Sequence, residues 1–208
     1  MADESGQGRF ESEEIQGAPP VVSRAELREQ RLTETISLNR YLYQQAQQFE
    51  HMLLNSPDLQ SLLETLLVSM PRHFSFRVSE LWLYDPEDVL ASLIVGGQRY
   101  GRYLQLHSDA FPMQELYDLE PDIVVIDATD SRMFEVLKSE HGIDYALLMP
   151  LTDGGRMIGS LHLGLQDDSL VVGKSEEDLI AHLASMVSAC FKIAVTRQQV
   201  SRLTLLDP

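Results

Sequence analysis

Residues 145–166 read YALLMPLTDGGRMIGSLHLGLQ. Two apolar runs, at 145–151 and 156–166, flank Asp153-Gly154-Gly155, and such a cluster is typical of a tight turn between antiparallel strands. Successive side chains of a strand point to opposite faces. One face of the second run is expected to hold Met157, Leu161, Leu163 and Leu165, and the other Ser160, His162 and Gln166. The stretch therefore predicts a β-hairpin with one apolar face and one mixed face.

A further hairpin is predicted upstream. Leu81 and Leu83 alternate with the mixed face, which consists of Glu80, Trp82 and Tyr84. The sequence Asp-Pro-Glu-Asp at 85–88 supplies a turn before a second apolar run at 89–95. The apolar faces of both hairpins are expected to pack on helices.

Three segments have the pattern of helices. Residues 24–55 contain no proline or glycine, which predicts an N-terminal helix. Ser56 predicts the N-cap of a second helix that ends before Pro71, with an apolar stripe formed by Leu59, Leu62, Leu63, Leu66, Leu67 and Met70. A last helix is predicted from Ser175 past Arg197. The order of elements predicts an α+β fold, an antiparallel sheet with the long N- and C-terminal helices on one face.

The composition excludes several classes of protein. The 208 residues include 16 Lys+Arg and 32 Asp+Glu, a formal net charge of −16. Binding to nucleic acid or to an anionic membrane surface is not expected, because both need clustered cations. One cysteine excludes an intrachain disulfide and favours a cytoplasmic location. No uninterrupted run reaches the ~20 apolar residues of a membrane span. The acidic, glycine-containing residues 1–23 predict a disordered tail.

The hairpin at 145–166 resembles the paired strands near the end of a GAF domain. In that family an apolar strand with a "PL" step, here Pro150-Leu151, leads through a polar turn into "xIGxLxL", here beginning at Met157. The likeness covers roughly residues 57–195, with the helix, hairpin and irregular segment in the family's order. It implies a GAF-like sensory domain over 56–198, with ligands held between the sheet and the irregular segment.

A second resemblance lies at the carboxyl end. Residues 203–208 read LTLLDP, similar to the segment that joins a signalling helix to a GGDEF domain, whose opening reads roughly "DPLTGxxNRR". The resemblance implies that residues 199–208 are a linker toward a GGDEF output domain outside this chain. It implies a parent diguanylate cyclase, which condenses two GTP into cyclic di-GMP. The catalytic residues of that family do not occur in these 208 residues.

The mixed strand faces and the irregular segment supply the candidates for a ligand pocket. These are Trp82, Tyr84, His107, Tyr117, Arg132, His141, Ser160 and His162. The alternative is a cavity filled by its own side chains, with its polar groups satisfied internally. No histidine pair has the i, i+4 spacing of a metal-binding helix, and no cofactor is required by the sequence, so no metal site and no catalytic residue are predicted.

The last helix carries a seam with spacings of three and four residues, which predicts a helix–helix contact in a homodimer. Its members are Leu183, Met186, Cys190, Ile193, Arg197 and Val200. The function that follows is a regulatory sensor module, in which a small-molecule ligand or a conformational state changes the pairing of two such helices. The alternative is a stand-alone interaction scaffold with an empty pocket.

Overall fold

A computed structural model describes residues 24–94, 96–120, 122–137, 142–166 and 174–206. The predicted tail over residues 1–23 lies outside these ranges. The chain divides into two units after Leu38. The whole sheet belongs to the second unit.

Five strands form one sheet in the order β2-β1-β5-β4-β3. The strands β1 and β2 are parallel, and every other neighbouring pair is antiparallel. The bounds are β1 (Val78–Tyr84), β2 (Leu104–His107), β3 (Val124–Asp127), β4 (Tyr145–Asp153) and β5 (Arg156–Leu165). The fold is α+β, as the sequence predicts, with a mixed rather than purely antiparallel sheet.

Six α-helices surround the sheet in the described residues. They are α1 (Arg24–Leu54), α2 (Leu59–Glu64), α3 (Met70–Phe74), α4 (Val89–Leu93), α5 (Phe111–Glu115) and α6 (Lys174–Leu206). A π-helical turn, Thr65–Ser69, joins α2 to α3 without a break. Short 3₁₀ segments occupy Gly97–Tyr103 and Ser131–Phe134. The predicted N-terminal helix forms, and the predicted linker at 199–208 is helical as far as Leu206.

Two apolar clusters lie on opposite faces of the sheet. The larger one joins Phe49 of α1, the leucine stripe of α2, and Val187 and Phe191 of α6 to the odd-numbered residues of β4 and β5. The smaller one contains Trp82 and Leu148 of the sheet together with side chains from the segment between β2 and β4. The part of α1 after Leu38 and the helix α6 therefore cover one face, and the irregular segment covers the other.

The hairpin of β4 and β5 confirms the prediction from residues 145–166. Asp153 pairs with Arg156 across the turn. Gly154 and Gly155 have φ angles of 57° and 79°, which residues with a Cβ rarely adopt. The turn therefore needs both glycines.

A β-bulge changes the predicted faces at the start of β5. Thr152 pairs with Met157 while Leu151 pairs with Gly159, so Ile158 is an extra residue in β5. A bulge reverses the alternation of side chains beyond it. Ile158 packs against the helix-side cluster, and Met157 packs against the opposite one. The prediction that Met157 shares a face with Leu161 is wrong for this reason.

The hairpin predicted at 80–95 does not form. Residues 89–93 are the helix α4, whose first backbone N–H groups are satisfied by the buried Asp85. Its carboxylate accepts hydrogen bonds from Leu90 N at 3.0 Å and Ala91 N at 2.8 Å. Side-chain acceptors stabilise a helix start in this way. The chain then crosses on the helix side of the sheet and returns as β2, parallel to β1.

The second helix begins later and ends later than predicted. Its N-cap is Asp58, whose carboxylate accepts from Ser61 N at 2.7 Å, and not Ser56. Pro71 does not end the helix, because it lies in the first turn of α3, where a missing N–H is tolerated. The six apolar side chains of the predicted stripe are all buried.

The segment 177–204 of α6 contains an 18-residue stretch with a mean hydropathy of 1.7, so this helix is long and apolar enough, by length and composition, to cross a membrane. Lys192 and Arg197 interrupt this stretch, so it contains no uninterrupted run of ~20 apolar residues, as expected from the sequence. Core helices of soluble proteins pass the same test. Val187, Phe191 and Ala194 of α6 are buried against the protein's own core.

Candidate ligand-binding site

A buried glutamate forms the centre of the sheet face opposite the long helices. Glu80 of β1 is only 5% exposed. One oxygen of its carboxylate accepts hydrogen bonds from the Trp82 indole N–H and from Gln105 Nε2 at 2.9 Å, and the other accepts from Leu137 N at 3.1 Å. A charge removed from water needs several such donors. Glu80 therefore joins β1, β2 and the segment before β4.

A chain of polar side chains runs from Glu80 toward the irregular segment. His162 Nδ1 lies 3.9 Å from Glu80 Oε1. On the other side of the ring, His162 Nε2 lies 2.6 Å from Ser160 Oγ. Ser160 Oγ in turn lies 2.5 Å from the hydroxyl of Tyr117. His162 and Ser160 are fully buried and Tyr117 nearly so. Loss of any of these hydrogen bonds would therefore leave a buried polar atom unpaired, at a cost in stability.

Two histidines contact the ring of Trp82. The ring centroid of His107 lies 4.8 Å from that of Trp82. The ring centroid of His162 lies 4.9 Å from that of Trp82, with the two rings edge-to-face. Within the described residues, His162 Nδ1 and His107 Nε2 are buried nitrogens without a hydrogen-bond partner. Buried nitrogens of this kind call for an explanation, because an unpaired polar atom lowers stability.

Burial changes the titration of these side chains. Removal from water lowers the pKa of His162 below its usual 6.5, against the opposing effect of Glu80. Burial likewise lowers the pKa of His107, and the neighbouring His162 lowers it further. Burial raises the pKa of the Tyr117 hydroxyl well above its usual 10. In the native state the neutral forms of the two histidines are therefore favoured.

We expect the free energy of unfolding to decrease as the pH falls below about 6.5, by up to ~1.4 kcal/mol per pH unit for each histidine. The unfolded chain binds the proton at its ordinary pKa, whereas the folded chain resists it. Urea unfolding at pH values on both sides of this range measures the effect. The variant His107→Gln should show a smaller decrease, and equal slopes for both proteins would contradict the assignment.

An open cavity of about 320 Å³ adjoins the end of the polar chain. Tyr117 lines it together with Tyr84, Gln114, Arg156 and Met157. The cavity thus lies between α5 and the turn of the β4–β5 hairpin. Its volume is within the range of small-molecule sites.

The structure brings five of the eight predicted pocket residues together: Tyr117, Ser160 and His162 belong to the polar chain, and Trp82 and His107 pack beside it through their rings. Tyr84 lines the neighbouring cavity. Arg132 lies elsewhere: its guanidinium binds Asp130 and donates to Leu116 O at 2.9 Å, which fixes the turn. The prediction for His141 lies outside the described residues.

Two residues of the site were not among the predicted ones. Glu80 alternates with the apolar Leu81 and Leu83, so the sequence itself indicates a carboxylate on the mixed face of this strand. Gln105 could not be found in this way, because it reaches Glu80 only through the unexpected parallel pairing of β2 with β1.

The described residues contain no group of three or more His, Cys, Asp or Glu side chains placed to hold a metal ion. Cys190 is buried in the core, and burial raises the pKa of its thiol. A reactive thiolate is therefore not favoured at this position.

The predicted seam of α6 separates into two parts. Leu183 and Cys190 are buried in the core of their own unit and Met186 packs against it, so these three are not available to a partner helix. At this level α6 covers the sheet and buries these side chains against it. Ile193, Arg197 and Val200 are exposed, with Ile193 47% and Val200 56% accessible.

Solved structures with a similar fold include two GAF domains and a free methionine-R-sulfoxide reductase. The GAF domain of a phosphoenolpyruvate-protein phosphotransferase from Coxiella burnetii matches with a TM-score of 0.56 at 14% identity, covering 76% of this chain and 97% of that one. The corresponding domain from Acinetobacter gives 0.52 at 15%, covering 73% and 93%. A free methionine-R-sulfoxide reductase from Neisseria meningitidis gives 0.50 at 14%, covering 77% and 93%.

No family model matches the sequence, and no curated protein does. At these identities the likeness is one of fold. The chain has the GAF fold, as the motif at 145–166 implies.

Proposed function

We propose that this chain is a cytoplasmic regulatory sensor domain that passes its state along α6 to an output domain. The observation that supports this is the helix itself. It runs without a break from Lys174 to Leu206, and its last part carries exposed apolar side chains at Ile193, Val200 and Leu203. A GAF-fold lobe with such a helix has the parts that a signalling module requires.

The proposed signal is a change in the pairing of two α6 helices in a homodimer. Ile193 and Val200 are seven residues apart, and Arg197 lies between them at the same helix face. Apolar side chains at this spacing bury each other when two helices run side by side. The arginine weakens the contact, which keeps the free-energy difference between two arrangements small enough for a ligand to change.

The substitution Ile193→Asp is expected to abolish the dimer, because two carboxylates would face each other across the paired helices. Light scattering on the 208-residue chain measures the molar mass. Gln199→Asp is the matched control, since it adds the same charge to an exposed position on another face of α6. A wild-type monomer, or a dimer that survives Ile193→Asp, would contradict this contact.

The proposed output domain is a diguanylate cyclase. The support is the resemblance of residues 203–208 to the segment that precedes GGDEF domains, at the end of a continuous helix. The test is the coding sequence after Pro208, where we expect Leu-Thr-Gly, an Asn-Arg-Arg-like stretch and then Gly-Gly-(Asp/Glu)-Glu-Phe. The joined protein should convert GTP to cyclic di-GMP, and Ile193→Asp should lower this rate because two GTP-binding domains must meet.

A ligand-free scaffold is the second candidate function. The observation that favours it is the filling of the sheet face by Trp82, Ser160 and His162, which are buried by one another. It predicts no bound molecule by mass spectrometry after native purification and no change of melting temperature with small ligands. The sensor proposal predicts a melting temperature that rises with ligand concentration.

A further inference from the structure

The cavity beside Tyr117 carries a positive charge in a strongly acidic chain. Among its described lining residues, Arg156 is the one with a charged side chain. The ion pairs of the described residues do not involve Arg156. Asp153, which pairs with Arg156 across the hairpin turn, is bound instead by Lys192 Nζ at 2.7 Å. The Arg156 guanidinium is therefore suited to a carboxylate or phosphate ligand. Tyr84 and Met157 on the same cavity offer contact to an apolar body.

The geometry of the hydrogen-bond chain beneath the cavity determines which of its atoms donate and which accept. His162 Nδ1 faces the Glu80 carboxylate at 3.9 Å without another partner. A carboxylate repels a nitrogen lone pair, so the neutral imidazole holds its proton on Nδ1. Its Nε2 then accepts from Ser160, and Ser160 accepts from the Tyr117 hydroxyl. In this state the Tyr117 hydroxyl donates its hydrogen bond to Ser160 Oγ.

Protonation of His162 reverses the chain. The ring then donates from both nitrogens, so Ser160 Oγ becomes an acceptor toward His162 and turns its own proton to the Tyr117 oxygen. Tyr117 lines the cavity, and its proton, no longer donated to Ser160, can then be donated to a ligand that reaches the hydroxyl. An anion in the cavity and a proton on His162 therefore favour each other, as linked equilibria require.

We propose that this cavity binds a small organic anion with an apolar body, that Arg156 receives its charge, and that binding adds a proton to His162. The inference rests on the proposed sensor function and names its ligand class. The titratable groups around His162 are Glu80 on β1, His107 on β2 and Tyr117 after α5, while β4 pairs with it through Leu148. Glu80 supports the added charge, and His107 opposes it.

The test is calorimetric titration of the full chain with benzoate, indole-3-acetate and phenyl phosphate, with benzylamine as the cationic comparison. Repetition in buffers of different ionisation enthalpy measures proton uptake. We expect one or more of the anions to bind with uptake of protons, about tenfold more tightly at about pH 6 than at about pH 8. Trp82, the single tryptophan, contacts both histidine rings and reports the same step by fluorescence.

Two substitutions separate the parts of the inference. Arg156→Gln should weaken anion binding about tenfold at every pH, whereas Arg72→Gln, at an exposed position on α3, should not change it. Tyr117→Phe keeps the ring and removes the transferable proton. It should retain anion binding and lose the pH dependence.

Failure of all three anions to bind, equal binding of benzylamine, or an unchanged affinity in Arg156→Gln would overturn the anion site. An unchanged pH dependence in Tyr117→Phe would overturn the proton linkage. These results are distinct from a failure of the sensor proposal. A dimer that Ile193→Asp abolishes, in a chain that binds none of the anions, would remove this inference and leave the helix-pairing proposal intact.

Discussion

Replacement of Glu80 by alanine is expected to lower the free energy of unfolding by about 3–5 kcal/mol. The substitution leaves the Trp82 indole N–H, the Gln105 amide and the backbone N–H of Leu137 without the acceptor they share. It also removes the carboxylate that faces His162. Urea unfolding near neutral pH, followed by the fluorescence of Trp82, measures the change.

Two further variants make this result specific to the buried carboxylate. Glu80→Gln keeps one oxygen acceptor and presents an amide donor where the other oxygen stood, so an intermediate loss of about half that size is expected. Glu64→Ala removes a carboxylate that binds Arg99 at 2.5 Å on the surface, with both side chains about half exposed. Such a pair contributes less than about 1 kcal/mol. A Glu80→Ala protein as stable as Glu64→Ala would contradict the role of Glu80.

Replacement of Gly159 by alanine is expected to lower the free energy of unfolding by about 2–3 kcal/mol. An added Cβ would lie 2.7 Å from the carbonyl oxygen of Trp82 and 2.9 Å from Leu83 Cδ2. A backbone oxygen in a paired strand cannot move away without disturbing the β1–β5 hydrogen bonds. Gly159 is the glycine of the "xIGxLxL" motif, so close contact between strands is a physical reason for that residue.

Gly164→Ala is the matched control in the same strand. Its Cβ would lie 2.7 Å from Ile143 Cδ1 and 2.8 Å from Val78 Cγ1, which are the ends of side chains. Ile143 Cδ1 can move by rotation, whereas Val78 Cγ1 is restricted at χ1, so we expect a smaller loss of about 1–2 kcal/mol. Thermal or urea unfolding of the two variants compares them. A larger loss in Gly164→Ala than in Gly159→Ala would contradict the importance of the backbone contact.

The elements found from sequence alone are those with a regular period. The glycine-rich turn between two apolar runs determines the β4–β5 hairpin, and the stripe of leucines determines α2, because each pattern repeats over enough residues to exclude other structures. The alternation around Leu81 and Leu83 also predicts the two faces of β1. These periodic patterns are sufficient to predict the fold class and most of the buried polar residues.

The features that the sequence does not predict depend on contacts between residues far apart in the chain. The run at 89–93 is apolar in either a strand or a helix, and the carboxylate of Asp85 determines the outcome by accepting from the helix start. The bulge at Ile158 moves Met157 to the other face, and no local pattern marks it. Gln105 reaches Glu80 only because β2 returns parallel to β1. Tertiary context decides such short segments.

The connection after β1 links this strand to α6 through the short helix α4. Four residues connect β1 to α4. The last carbonyl groups of α4 accept hydrogen bonds from α6: Gln198 donates to Leu93 O at 2.9 Å, and Arg202 donates to Ser92 O at 2.5 Å. The strand that holds Glu80 is thus tethered near the far end of α6. A small displacement of that strand would therefore be transmitted to α6 at Gln198 and Arg202.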